Sequence, residues 1–184
     1  MRVLVVGLGN RMYGDDGYGD LLAQFLEECG ATGFEVFHGS HLGLGMLGYL
    51  AGYDVIVFID IVDPELVGGS PGDVGVLEID PSRADAAEYA YMFSRETDNH
   101  AVSPAHIVAL LYAAGQYRGK AYIVGVVPQS TEFGKPVSEP VRRATPRVLE
   151  KLEALLARLG VETPWIPREC VVEKMMSLSG LALE

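Results

Sequence analysis

No stretch of about 18 apolar residues, the length that spans a bilayer as a helix, occurs in this 184-residue chain, so no transmembrane helix is expected. Residues 1–6 lack the combination of charged start, long apolar stretch and small-residue cleavage site that marks a signal peptide. They read instead as a buried strand, and the expected compartment is the cytoplasm. Internal repeats and low-complexity linkers are also missing. The simplest organisation is one domain over residues 1–160, followed by a tail, 161–184, with no clear pattern. Basic residues are scarce: 14 Lys and Arg stand against 25 Asp and Glu, for a formal net charge of −11. Such a surface repels nucleic acid and anionic membranes and suits a cationic or metal-bearing partner. Only two cysteines occur, Cys29 and Cys170, too far apart in sequence for a paired metal motif. The expectation is two reduced thiols, one buried on a helix and one in the tail.

What is present is a chain that is 49% apolar, enough for a globular core. Short valine- and isoleucine-rich runs at 1–6, 34–37, 55–60, 74–79 and 121–127 read as strands. Helical spacing places Leu22, Phe25, Leu26 and Cys29 on one face, with Gly30 as the stop. A short helix is expected around 44–51 and a helical turn around 84–91. Ser103 and Pro104 read as an N-cap and first helical residue, with Ile107, Leu110, Leu111 and Ala114 facing inward. Val148, Leu152, Leu155, Leu156 and Leu159 mark a last long helix, which Thr145 should cap and Pro146 should open. Strands alternating with helices predict a three-layer α/β/α sandwich around a mostly parallel, twisted sheet of about five strands. Ligands on such sheets bind beyond the carboxyl ends of the strands.

Three polar signals fall at those ends. The first is the loop from Gly7-Leu8-Gly9-Asn10 to Gly14-Asp15-Asp16-Gly17-Tyr18-Gly19. A dinucleotide reading fails, because Met12 stands where the third glycine belongs and two carboxylates occupy the place of a pyrophosphate. Helix capping accounts for one aspartate, and a ligand role is open to the pair. The second signal is Asp60, at the end of an apolar strand, either a turn former or a site acid; Asp63, before Pro64, looks like turn chemistry. The third is His100, just ahead of the Ser103 helix start, where a helix N-terminus favours a neutral, metal-competent imidazole. His106 fits packing or a local hydrogen bond, and His38 and His41 flank the turn after the second strand. Two carboxylates and one imidazole suit a borderline divalent metal. No serine or cysteine triad can be drawn from these residues.

Together these residues resemble the hydrogenase maturation endopeptidases, which process nickel–iron hydrogenase large subunits. Gly7-x-Gly9-Asn10 followed by Gly14-Asp15-Asp16-Gly17-x-Gly19 matches the family's opening signature. Asp60 matches its second acidic position, His100 its histidine, and Val124-Gly125-Val126-Val127-Pro128 its late strand and turn. The similarity runs from Met1 to about Leu159. It implies that Asp16, Asp60 and His100 are both the catalytic and the metal-contacting set. It implies no permanent cofactor: nickel arrives already inserted in the precursor, the expected partner. It further implies removal of a C-terminal peptide. One departure is His38-Gly39-Ser40-His41, where many members carry an acid. The rival readings are a non-catalytic nickel-handling or assembly factor, a nucleotide-binding α/β enzyme, or another metallopeptidase of related fold.

Overall fold

The structure, a computed structural model, describes residues 1–40, 47–81 and 103–181. The first half of the chain holds β1 (Val3–Leu8), a 3-10 turn (Gly14–Gly17), α1 (Tyr18–Glu28), β2 (Glu35–Gly39), α2 (Leu47–Leu50), β3 (Val55–Ile61), α3 (Pro64–Val67) and β4 (Val74–Ile79). The second half holds α4 (Pro104–Ala113), β5 (Lys120–Val126), α5 (Glu139–Arg143), α6 (Thr145–Arg158) and α7 (Arg168–Met176). The strands form one sheet in the order β2-β1-β3-β5-β4. All pairs are parallel except β4 with β5. The five-stranded, mostly parallel sheet expected from the sequence is therefore present.

β1 is buried along its whole length, and β3 through Ile59, because helices cover both faces; this is why they read as unbroken apolar runs rather than alternating ones. On one face, Val5, Val57 and Val124 pack against Leu22 and Leu26 of α1, Leu152 of α6 and Val171 of α7. On the other, Leu4, Val6, Ile56 and Phe58 pack against Leu50 of α2 and Ile107 and Leu111 of α4. The three-layer sandwich follows. Gly30 ends α1 with a φ of +80°, a left-handed conformation open to glycine. The expected turn at 84–91 lies outside the described residues, as do residues 44–46 of the short helix expected at 44–51.

Thr145 departs from expectation. It does not cap α6; Ala144 holds the N-cap position, and Thr145 begins the helix with Pro146 in the first turn. The reason is α5, which the sequence pattern did not reveal and which runs almost directly into α6. Its last turn stands where a capping loop would be. The Thr145 hydroxyl instead lies 3.0 Å from the phenol of Tyr18. Both residues are fully buried, and a buried phenol needs such a partner.

The cysteines also correct the expectation. Cys29 and Cys170 are joined in a disulfide with their Cα atoms 6.0 Å apart. The sequence hides this because the pairing depends on where the tail goes. Trp165 pairs with Thr32 as a β-bridge. Ile166, Val171 and Met175 enter the core beside α1, and Lys174 reaches Glu28 at 2.8 Å. That docking carries α7 across the C-terminal end of α1, within disulfide reach. Replacing both cysteines by serine should leave the fold intact and lower the unfolding free energy by up to roughly 5 kcal/mol, the order expected for so long a closed loop. Urea titration of the oxidised protein against the double variant measures this; equal midpoints would mean the bond adds nothing.

Candidate active site

The sheet has a switch point between β1 and β3. From β1 the chain crosses by α1 to β2 on one side; β3 then lies on the other side of β1. A crevice opens beyond the carboxyl ends of strands at such a point. Gly7 pairs with Ile59, so the last residue of β1, Leu8, stands beside Asp60. The loop that leaves β1 carries Asp15 and Asp16 in the 3-10 turn.

The glycines of this loop serve close packing. A Cβ on Gly19 would lie 2.2 Å from the Ile59 carbonyl oxygen, so the first turn of α1 rests directly on β3. Gly9 adopts φ +144°, and a Cβ there would meet the Asp16 carbonyl oxygen at 1.6 Å. The spacing that resembles a dinucleotide loop is thus a spacing for backbone on backbone.

The adjacent acids have different environments. Asp15 is fully buried. Its carboxylate accepts hydrogen bonds from the Gln129 N–H at 2.7 Å, the Ser130 N–H at 3.1 Å, the Ser138 N–H at 2.6 Å and the Ser138 hydroxyl at 2.9 Å. All its donors lie on the loop after β5. Asp16 is only partly buried and accepts one bond from the Asn10 N–H at 2.8 Å. Burial raises its carboxyl above the ordinary aspartate range, and the Asn10 bond offsets only part of that. Neither side chain caps a helix.

Asp60 lies near the end of β3, partly exposed, with one oxygen accepting from the Ile61 N–H at 2.8 Å. Ile56 and Phe58, at alternate positions, face the α4 layer, so Asp60 points to that side as well. Residues 114–119 connect α4 to β5, so α4 runs antiparallel to β5 and its N-terminus faces the same rim. Ser103 caps it as expected, accepting from the His106 N–H at 3.3 Å. The His106 ring lies 3.0 Å from the same hydroxyl, the local bond anticipated for it. Asp63 caps α3, accepting from the Glu65 N–H, a turn role as expected. His100 and His41 lie outside the described residues.

His38 turns the other way. It shares the α1 side of β2, with Nδ1 3.4 Å from Asp20 and Nε2 3.3 Å from Glu27. It lines a cavity of about 410 Å³ with Asn10, Arg11, Asp20 and Gln24. Arg11 holds Asp20 at 2.5 Å there. Sequence reasoning did not single out Arg11 or Asp20; their separation by nine positions, across the 3-10 turn, carries no periodic signal. Among the described residues, no three His, Cys, Asp or Glu side chains form a metal-holding group. The disulfide leaves neither cysteine as a thiol nucleophile.

The comparisons with known proteins decide the family. The family model of HycI, hydrogenase maturation protease, matches residues 22–155. The chain belongs to the hydrogenase maturation proteases. It is 27% identical to the Hydrogenase 2 maturation protease of Escherichia coli K12 over 173 residues, covering 93% of this chain and 99% of that protein. Its structure superposes on the hydrogenase maturating endopeptidase HybD of Escherichia coli with a TM-score of 0.68 at 26% identity, covering 89% of this chain and 98% of that one. A [NiFe] hydrogenase maturation protease HycI from Thermococcus kodakarensis KOD1 gives a TM-score of 0.61 at 25% identity, covering 85% and 92%. As a member of this family the protein is a peptidase, and the nucleotide-binding reading is set aside.

The partly buried carboxylate of Asp16 costs stability at the rim when it is ionised. Because folding raises the Asp16 pKa, the proton-bound form is favoured in the native state. That favourable term is complete below the unfolded pKa and is lost as pH rises through the folded one. Asp16→Asn, which keeps an acceptor for Asn10, should therefore melt higher than the wild type at pH 7. The gap should close as pH falls below the ordinary carboxylate range. Thermal melts across that pH range test this; a variant less stable at pH 7 would contradict it.

Proposed function

We propose that this protein removes the C-terminal extension of a nickel–iron hydrogenase large-subunit precursor after nickel insertion. The carrying observation is that Asp60, near the end of β3, stands beside the end of β1, whose outgoing loop carries Asp16, in a chain of the maturation protease family. Asp16, Asp60 and His100 engage the precursor's nickel, which fixes the substrate in register. Carboxylates with an imidazole suit that borderline ion. Nickel here is cargo of the substrate, and the enzyme holds no cofactor of its own. The cytoplasmic compartment and the precursor as partner belong to the same reading.

Hydrolysis then needs a water, a proton acceptor and a polarised carbonyl. The precursor's metal polarises the water or the scissile carbonyl. A carboxylate of the site takes the water's proton. Water adds to the peptide carbon, the carbon–nitrogen bond breaks, and the amine of the extension leaves with a proton. Asp16, Asp60 and His100 keep the precursor's metal in register while this happens.

Incubation with nickel-loaded and nickel-free precursor, read by mass spectrometry, tests the reading. Loss of a C-terminal peptide from the loaded form alone is expected. Binding without any mass change would make the protein an assembly factor. Asp60→Asn and His100→Ala should each reduce processing by at least about 100-fold with an unchanged circular dichroism spectrum. Full activity in either variant would remove that residue from the site.

A further inference from the structure

The loop after β5, residues 129–138, is tied to the loop that carries Asp16 more tightly than a plain connection requires. Besides the four bonds to the Asp15 carboxylate, the Asp15 N–H donates to the Ser130 carbonyl at 2.9 Å. The Gly14 N–H donates to the Lys135 carbonyl at 3.0 Å, and the Gly134 N–H to the Met12 carbonyl at 2.7 Å. Gly14 itself adopts φ +57°, and a Cβ there would stand 2.4 Å from the Ser130 carbonyl oxygen. The two loops therefore behave as one rigid body.

Strand order gives this body a place. β3 lies between β1 and β5, so a loop that leaves β5 and bonds to the β1 loop passes beside the carboxyl end of β3, where Asp60 stands. On it Phe133 is 67% exposed. Its ring meets Tyr13 edge-on, with centroids 5.4 Å apart. Tyr13 in turn accepts, through its carbonyl, the Asp16 N–H at 3.1 Å. Phe133 is thus presented to solvent against the half-buried Tyr13, which is linked by one backbone bond to Asp16. Large apolar side chains held rigid and exposed beside a site are the usual anchors of a partner.

We infer that the 129–138 loop is the substrate-binding wall of this peptidase, with Asp15 as its positioning residue and Phe133 on Tyr13 as the platform that receives an apolar side chain of the precursor near the scissile bond. The inference rests on the processing reading above. The occupant is the precursor because the platform is continuous with the loop that carries Asp16. An aromatic face recognises apolar or flat side chains and reads little charge.

Cleavage rates at varied precursor concentration separate binding from chemistry. Phe133→Ala should raise KM about tenfold with kcat changed less than about twofold, as for loss of an anchor side chain. Its melting temperature should not fall, since the ring is exposed. Phe133→Leu should recover most of the affinity. Asp15→Asn, which keeps the shape but sets an amide NH2 where a carboxylate oxygen now accepts, should lower kcat and raise KM together. A photo-crosslinking amino acid at position 133 should join the precursor close to its cut site. Unchanged KM in Phe133→Ala, a loss confined to kcat, or crosslinking only to a second copy of this chain would each overturn the inference. Wild-type protein that neither binds nor cleaves the precursor would overturn the processing reading and this inference with it, and is distinguished by the wild-type control alone.

Discussion

Four donors converge on the carboxylate of Asp15, and the arrangement of the site depends on that convergence. A charge taken fully out of water is unfavourable by several kcal/mol unless its lone pairs are met. Here three backbone N–H groups and one hydroxyl meet them, all from one loop. The same contact serves the loop, three of whose N–H groups find their acceptor in it. Neither loop is well defined without the other. The position of Asp16, one residue on, is a by-product of this mutual satisfaction.

Asp15 and Asp16 therefore divide the labour that the sequence presents as a doublet. One is buried, saturated and structural. The other is half-covered, holds a single N–H and has its proton affinity raised by its surroundings. Acids with proton affinity raised in this way are enriched at functional sites, because burial of an undersatisfied charge works against folding. The glycines support the contrast. Gly9 and Gly19 let backbone press on backbone, which withdraws Asp16 from solvent without supplying it with more donors.

The layered fold was legible because it follows from local patterns: buried valine runs, helical spacing in α1 and α6, and the Ser103–Pro104 start. The place of Asp60 at a strand's carboxyl end was legible for a similar reason, a lone charge after four apolar residues. What was not legible depends on distant partners. Nothing near Asp15 announces that its donors come from residues 129, 130 and 138. Thr145 looks like a cap until Tyr18 and α5 are placed beside it. The disulfide needs the tail to dock before its two halves can be seen as neighbours. The Arg11–Asp20 pair is created by a 3-10 turn that no periodicity marks.

The Cys29–Cys170 bond also changes what kind of object the chain is. It makes a covalent ring out of everything between those residues, with β1, the 3-10 turn and α1 as an arm leading into it. Asp60 and His100 sit within the ring and Asp16 on the arm. A single backbone nick anywhere inside the ring opens it but detaches nothing, so all three residues stay on one molecule. In an oxidised population, a cut by another protease within the ring would leave a chain that still holds its parts together, and release of a piece of the ring would need either a second cut or a reductant.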